Sequence, residues 1–191
     1  MAEMPRTRLF IAVETPREIR EQVVQIQHNL REAKADVRWE PEEKLHATLK
    51  FLGDTPEEDI GSIVEALGTV GSLHPQCEIL YTGVGCFPTL RAPRVVWIGI
   101  EDPAGSLRSL FMSLEDRMEQ LGFARETRAF HPHLTLGRVK GPRNLGGLLA
   151  RLKTVTFQSE PVIVQEIALV KSDLRSTGSV YTTLNTFPLI V

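Results

Sequence analysis

Long apolar runs, a cysteine framework and a surplus of basic charge are all missing from this sequence, and each absence closes a class of function. No stretch of about 18 consecutive apolar residues occurs, so no membrane partner and no spanning helix are expected. The opening MAEMPRTRLFIAVE turns polar again within one strand's length and has neither a secretory apolar core nor a cleavage motif, which points to a cytoplasmic location. A net charge of −2 and a pI of about 6.2 leave no broad cationic surface for holding a long duplex through many phosphates. Any contact with nucleic acid therefore has to be local.

Cysteine is limited to Cys77 and Cys86. Nine positions on one extended segment put their side chains roughly 30 Å apart, too far to pair. No CxxC and no Cys/His cluster accompanies them, so they read as two reduced thiols without a role. HExxH is missing as well, and no carboxylate sits at ligand spacing. Only His131-Pro132-His133, with the distant His46, could be drawn as a three-histidine metal site. A proline that sets up a strand after a structural His131 explains those residues better, and neither a metal nor another cofactor is expected.

What remains is the composition of a folded globular protein, with 42% apolar and 24% charged residues in 191 positions. Residues 1–191 fit one ordinary domain or two small fused lobes, and nothing demands a linker. Arg8 to Glu14 reads as a strand, and Thr15-Pro16 opens a helix through Lys34 with Ile19, Val23, Ile26 and Leu30 at helical spacing. Val37 to Trp39 and Leu45 to Leu52 read as extended, and Asp54-Thr55-Pro56 opens a second helix to about Thr69. Further strands are expected at Cys77 to Cys86, Arg94 to Ile100, Phe130 to Val139, Val155 to Gln158, Pro161 to Ser172 and Ser179 to Asn185. Helices are expected at Ala104 to Leu121 and Leu145 to Leu152. The fold class is α+β, without regular β-α-β crossovers.

The most informative feature is a repeated tetrapeptide, His46-Ala47-Thr48-Leu49 and His133-Leu134-Thr135-Leu136, separated by 87 residues. With 15 threonines in the chain, a given histidine meets threonine two places later about 8% of the time, and a following leucine cuts that to roughly 1%. Two hits among five histidines are therefore not accidental. On a strand, residues i and i+2 share a face, so each tetrapeptide lays an imidazole beside a hydroxyl and turns Ala47 and Leu49, or Leu134 and Leu136, toward packing. If the two strands face one cleft, four polar groups converge.

Such a group suits cleavage of a cyclic phosphodiester, where a proton leaves the attacking water on one side of phosphorus while another reaches the departing oxygen opposite. Imidazole has an ordinary pKa near 6.5, so one ring can act as base and the other as acid, each contributing typically about 10²–10⁴-fold. The hydroxyls of Thr48 and Thr135 can donate to the non-bridging oxygens. From the residues alone the roles of the two histidines can be exchanged.

Twin H-x-T-L motifs, with the RLFIAVE, HATLKFLG, RVVWIG and PHLTLGR segments in that order, make the chain similar to the 2H phosphoesterase superfamily. The resemblance covers most of the chain and is to the bacterial and archaeal RNA 2′,3′-cyclic phosphodiesterases, also called LigT-like or 2′-5′ RNA ligase proteins. It implies a bilobed, duplicated fold of two antiparallel sheets with helices outside and a central cleft. It further implies hydrolysis of an RNA 2′,3′-cyclic phosphate to a 2′-phosphate, with His46 as proton donor, His133 as proton acceptor, and Thr48 and Thr135 on the phosphate. A small cyclic nucleotide is the other substrate expected of it, and the protein is expected to be a monomer. Joining RNA ends, the reverse reaction, would need an extended RNA track that the acidic composition does not suggest, so hydrolysis should dominate. A non-catalytic RNA-end binder is the alternative class, as is a relative acting on another cyclic phosphate or a 2′-5′ linkage.

Other residues carry weaker expectations. Arg138 closes the second motif, and in similar enzymes an arginine there can lie near the nucleotide, although strict alternation from His133 points it away from the cleft. Phe10 and Trp97 are read as core rather than stacking platforms. Lys50 shares the His46 face by period and could steady a phosphate, yet a solvated lysine is the more common outcome. His28 and His74 are read as surface residues.

Overall fold

The computed structural model describes residues 5–176 and 178–191. Its elements run β1 (Arg6–Glu14), α1 (Arg17–Arg31), β2 (Val37–Trp39), β3 (His46–Pro56), α2 (Ile60–Gly71), β4 (Cys77–Phe87), β5 (Val95–Glu101), α3 (Ser106–Gln120), β6 (His133–Val139), α4 (Leu145–Leu152), β7 (Val162–Val164), β8 (Glu166–Arg175) and β9 (Gly178–Pro188). Helix α1 buries Ile19, Val23, Gln27 and Leu30, the one-sided spacing seen in the sequence, and α3 likewise buries Leu107, Leu110, Leu114 and Met118.

Alternation along the strands separates two faces. Leu9, Ile11 and Val13 of β1 join Ala47, Leu49, Leu134 and Leu136 and the apolar helix faces in one large core. Full burial of each Leu or Ile there is worth about 1.5–3 kcal/mol. The intervening residues Phe10 and Ala12 belong to a second, small cluster with Ala168 and Val170 on the other face.

Contrary to the two sheets expected, all nine strands form one sheet, ordered β7-β4-β5-β6-β3-β1-β8-β9, with β2 pairing β6. The join is the antiparallel pair Ala47↔Leu134, so the two motif strands themselves fuse what would otherwise be separate sheets. Outward from that join the order repeats: a motif strand (β3 or β6), the strand before a long helix (β1 or β5), then β8 or β4.

Four other expectations change. Asp54 to Pro56 extends β3, because Arg6↔Pro56 still pairs, and the helix begins only at Ile60. The stretch 161–172 divides, since β7 pairs β4 on one flank while β8 pairs β1 on the other. Val155 to Gln158 makes only an isolated bridge from Gln158 to Thr82, and Phe130 to Pro132 stays irregular ahead of β6.

Candidate active site

The single pair Ala47↔Leu134 explains the site. Continuing its antiparallel register by one residue each way sets His46 across from Thr135 and Thr48 across from His133, at the roughly 4.5–5.5 Å of direct cross-strand neighbours. All four turn away from the large core and line a cleft of about 1100 Å³ together with Arg138. The structure thus brings His46, Thr48, His133, Thr135 and Arg138 to one cavity.

The two imidazoles are oriented alike. His46 Nδ1 lies 2.7 Å from the Lys44 carbonyl and His133 Nδ1 lies 2.7 Å from the His131 carbonyl, in each case two residues upstream. A carbonyl oxygen only accepts, so Nδ1 carries the proton in both neutral rings and Nε2 is left for chemistry. In His46 that Nε2 accepts from Thr48 Oγ1 at 3.1 Å.

Their surroundings differ. His46 stacks on Phe10 with ring centres 4.9 Å apart and meets the edge of Tyr181 at 5.3 Å. His133 meets only Phe87 edge-on, at 5.0 Å. Burial disfavours the imidazolium and lowers the pKa of both, against the opposing pull of the carbonyl each ring faces. Glu14 nudges His46 upward, whereas the charges of Arg138 and His131 push His133 further down.

Arg138 reaches the cleft because β6 is not regular. The β5–β6 ladder slips at Leu136, so His133, Thr135 and Arg138 lie opposite Gly99, Trp97 and Val95, which alternate normally and share a face. The bulge overturns the strict alternation that aimed Arg138 elsewhere. Strand β3 slips at the equivalent Leu49 against β1, which brings Phe51 opposite Phe10 on the cleft face, 64% exposed. Phe51 is one cleft residue the sequence reading missed, and its signal was its place 87 positions before Arg138.

Polar groups on the helices secure both bulged strands. Gln27 Nε2 donates to the Leu136 and Glu40 carbonyls at 2.9 and 2.8 Å. Lys50, expected to be solvated, is instead buried. Its Nζ lies 2.7 Å from Glu115 Oε1 on α3 and donates to the Ala124 carbonyl at 2.9 Å, because the shifted register turns it inward beside a carboxylate. The other Glu115 oxygen accepts from the Glu126 N–H at 2.8 Å.

The remaining expectations divide. Phe10 is buried, as core packing requires, but directly beneath His46. Trp97 is half-buried and leans over Gly85, and among the described residues its Nε1 has no partner. His28 is exposed, while His74 is half-buried against Ser113 at 2.8 Å. Cys77 and Cys86 are free, and burial pushes the Cys77 thiol up to about 11, far from the reactive thiolate. Among the described residues no three His, Cys, Asp or Glu side chains are placed to hold a metal ion, and no helix is long and apolar enough to cross a membrane.

Comparison with known proteins places the whole chain in one family. The family model described as LigT like Phosphoesterase matches the chain twice, over residues 13–97 and 98–181. An RNA 2′,3′-cyclic phosphodiesterase of Methanothermobacter thermautotrophicus is 38% identical over 96% of this chain and 100% of its own length. One from Aquifex aeolicus is 31% identical over 97% and 99%. Among solved structures, a Thermus thermophilus protein superposes with a TM-score of 0.80 at 31% identity, covering 95% of this chain and 97% of its own. Escherichia coli LigT complexed with 3′-AMP gives 0.77 at 28% identity, over 96% and 98%.

Proposed function

Because the chain belongs to the LigT-like phosphoesterase family and is an RNA 2′,3′-cyclic phosphodiesterase, we propose that His46 and His133 divide its acid–base chemistry across the join of β3 and β6. Water attacks phosphorus while His133 Nε2 takes one of its protons. The bond from phosphorus to the 3′ oxygen breaks, and protonated His46 Nε2 delivers its proton to that oxygen. The products are a 2′-phosphate and a free 3′-hydroxyl, and exchange with solvent resets both rings. Thr48 and Thr135 donate to the non-bridging oxygens, where charge builds in the crowded transition state. The bound phosphate's negative charge raises the depressed pKa of His46 and so favours the acid form when substrate is present.

The observation that carries this reading is the Ala47↔Leu134 pair, which sets two His/Thr couples side by side in opposite directions on one face. An in-line displacement needs a proton acceptor on one side of phosphorus and a donor on the other, and two couples running antiparallel supply them. Phe51 and Arg138, delivered by equivalent bulges, flank the position of the terminal nucleoside and offer it a ring and a guanidinium plane. The whole chain 1–191 then acts as one monomeric unit of two similar lobes. A free cyclic nucleotide can undergo the same reaction, but a cleft of about 1100 Å³ has room for more than one nucleotide, which favours an RNA end.

The test is incubation with an oligonucleotide ending in a 2′,3′-cyclic phosphate, and with 2′,3′-cyclic AMP, followed by product identification. A 2′-phosphate is expected. His46→Ala and His133→Ala should each lower kcat by about 10²–10⁴-fold with the fold intact by circular dichroism. Full turnover in either variant removes the assignment, and a 3′-phosphate product reverses which oxygen departs.

A further inference from the structure

The cleft is close to symmetric in fold but not in charge. On the side of α3 its cations are all paired: Lys50 with Glu115, Arg128 with Glu126 at 2.6 Å, and Arg125 with Asp116 and Glu119 at 2.6 and 2.8 Å. Across from them Arg8, Arg38 and Lys44 line the cleft, and among the described residues no carboxylate lies within ion-pair distance of any of the three. A chain with net charge −2 therefore places three cations outside any ion pair on its functional cleft, with Glu40, 3.8 Å from Arg138, as the acid beside them.

Two of them converge. A β-carbon built on Gly178, at the start of β9, would lie 2.6 Å from Arg38 Nη2 and 3.9 Å from Lys44 Nζ, so both nitrogens close over the same glycine. Lys44 Nζ also sits 5.8 Å from the Tyr181 ring centre, and that ring is 5.3 Å from His46. Burial raises the Tyr181 pKa and the Glu40 carboxylate adds to it, while the charges of Arg138, Arg8 and Arg38 oppose it, so these three arginines and one carboxylate surround the Tyr181 side of His46. Like charges held this close without a counter-ion repel one another, and a multiply accepting anion turns that repulsion into binding.

We propose that Arg38 and Lys44, closing over Gly178 beside Tyr181, form a second phosphate site that grips a phosphodiester of the RNA strand leading into the cyclic terminus. The site makes an oligonucleotide end a better substrate than a cyclic mononucleotide, which has no second phosphate to offer. The proposal rests on the phosphodiesterase reading above and assigns it a substrate length. It requires no extended basic surface, since one phosphate beyond the reacting one suffices.

The experiment compares the wild type with an R38Q/K44Q variant, which keeps the polar stems and leaves the Lys44 carbonyl in place for His46. Substrates are a short oligonucleotide with a 2′,3′-cyclic end and 2′,3′-cyclic AMP. For the oligonucleotide, KM should rise about tenfold with kcat unchanged, and the salt dependence of log kcat/KM should become shallower by about 0.7, the contribution of the one phosphate no longer neutralised. Constants for 2′,3′-cyclic AMP should not move. The control R108Q/K153Q removes two exposed charges outside the cleft and should change neither substrate. An unmoved oligonucleotide KM, or an equal loss on both substrates, overturns the second phosphate site. Should the wild type hydrolyse neither substrate, the catalytic reading fails by itself. Fluorescence anisotropy with a 3′-phosphorylated oligonucleotide then judges the rim: weaker binding by the double variant supports it, and unchanged binding rejects it.

Discussion

Gln27 on α1 and Glu115 on α3 occupy matching places in the two halves, 88 residues apart, yet they brace the motif strands by different physics. Gln27 reaches the bulged end of β6, where Glu40 N also donates to the Leu136 carbonyl at 2.9 Å and β2 runs alongside as a paired strand. That close approach requires Gly137, since a β-carbon there would lie 2.8 Å from Val37 Cγ1 and 3.0 Å from the Arg38 carbonyl. Glu115 reaches the equivalent end of β3, where Lys50 replaces the glycine and residues 124–130 form no strand. With no ladder to satisfy that backbone, the ion pair does it: Lys50 donates to the Ala124 carbonyl and Glu115 accepts from the Glu126 N–H. Where strand pairing supplies the hydrogen bonds, a neutral amide is enough. Where it does not, two buried charges tie down the cleft wall.

The sharpest way to break this contrast is to remove one member of the charged brace. Lys50→Met leaves Glu115 buried without its partner and should destabilise the protein by about 3–5 kcal/mol in denaturant unfolding. The double variant Lys50→Met/Glu115→Leu removes both charges and should regain most of that stability. The 124–130 segment would still lack its backbone partners, so amide exchange there should remain faster than in the wild type. A single variant as stable as the wild type would show that the pair carries no such task.

The amide brace should be weaker. Gln27→Leu withdraws a donor from two carbonyls but leaves Leu136 O its bond from Glu40 N, so a loss of about 1–3 kcal/mol is expected, toward the lower end. Because this brace holds the bulge that aims Arg138, KM should rise along with the loss of stability. A cost equal to that of Lys50→Met would erase the distinction between the two halves.

These braces also mark where the sequence stopped being readable. The motif strands and the two long helices were legible because a period of two and a period near 3.6 are local signals, and because the tetrapeptide occurs twice. Cleft-facing His46, Thr48, His133 and Thr135 follow from that period alone. A bulge has no such signature: one residue, Leu136 or Leu49, drops out of the ladder, and everything beyond it changes face. Hence Arg138 was aimed away, Phe51 was passed over, and Lys50 was left in solvent. The fusion into one sheet was hidden for a related reason, since a single pair, Ala47↔Leu134, between strands 87 residues apart leaves no mark on either strand's own pattern.

The smallest effect expected separates the two imidazoles themselves. Burial lowers both pKa values below the ordinary 6.5, so the kcat/KM profile should be a bell centred on the acid side of that value. Arg138 adds to the depression at His133 but does not act on His46, where Glu14 pulls the other way. Replacing Arg138 by Gln removes a positive charge that disfavours the His133 imidazolium, so the pKa of His133 should move up while that of His46 stays. Histidine Cε1–H shifts, followed by NMR across the titration in the free protein, resolve the two rings directly. Movement of both midpoints together would mean the rings titrate as one coupled pair, with no private environment for either.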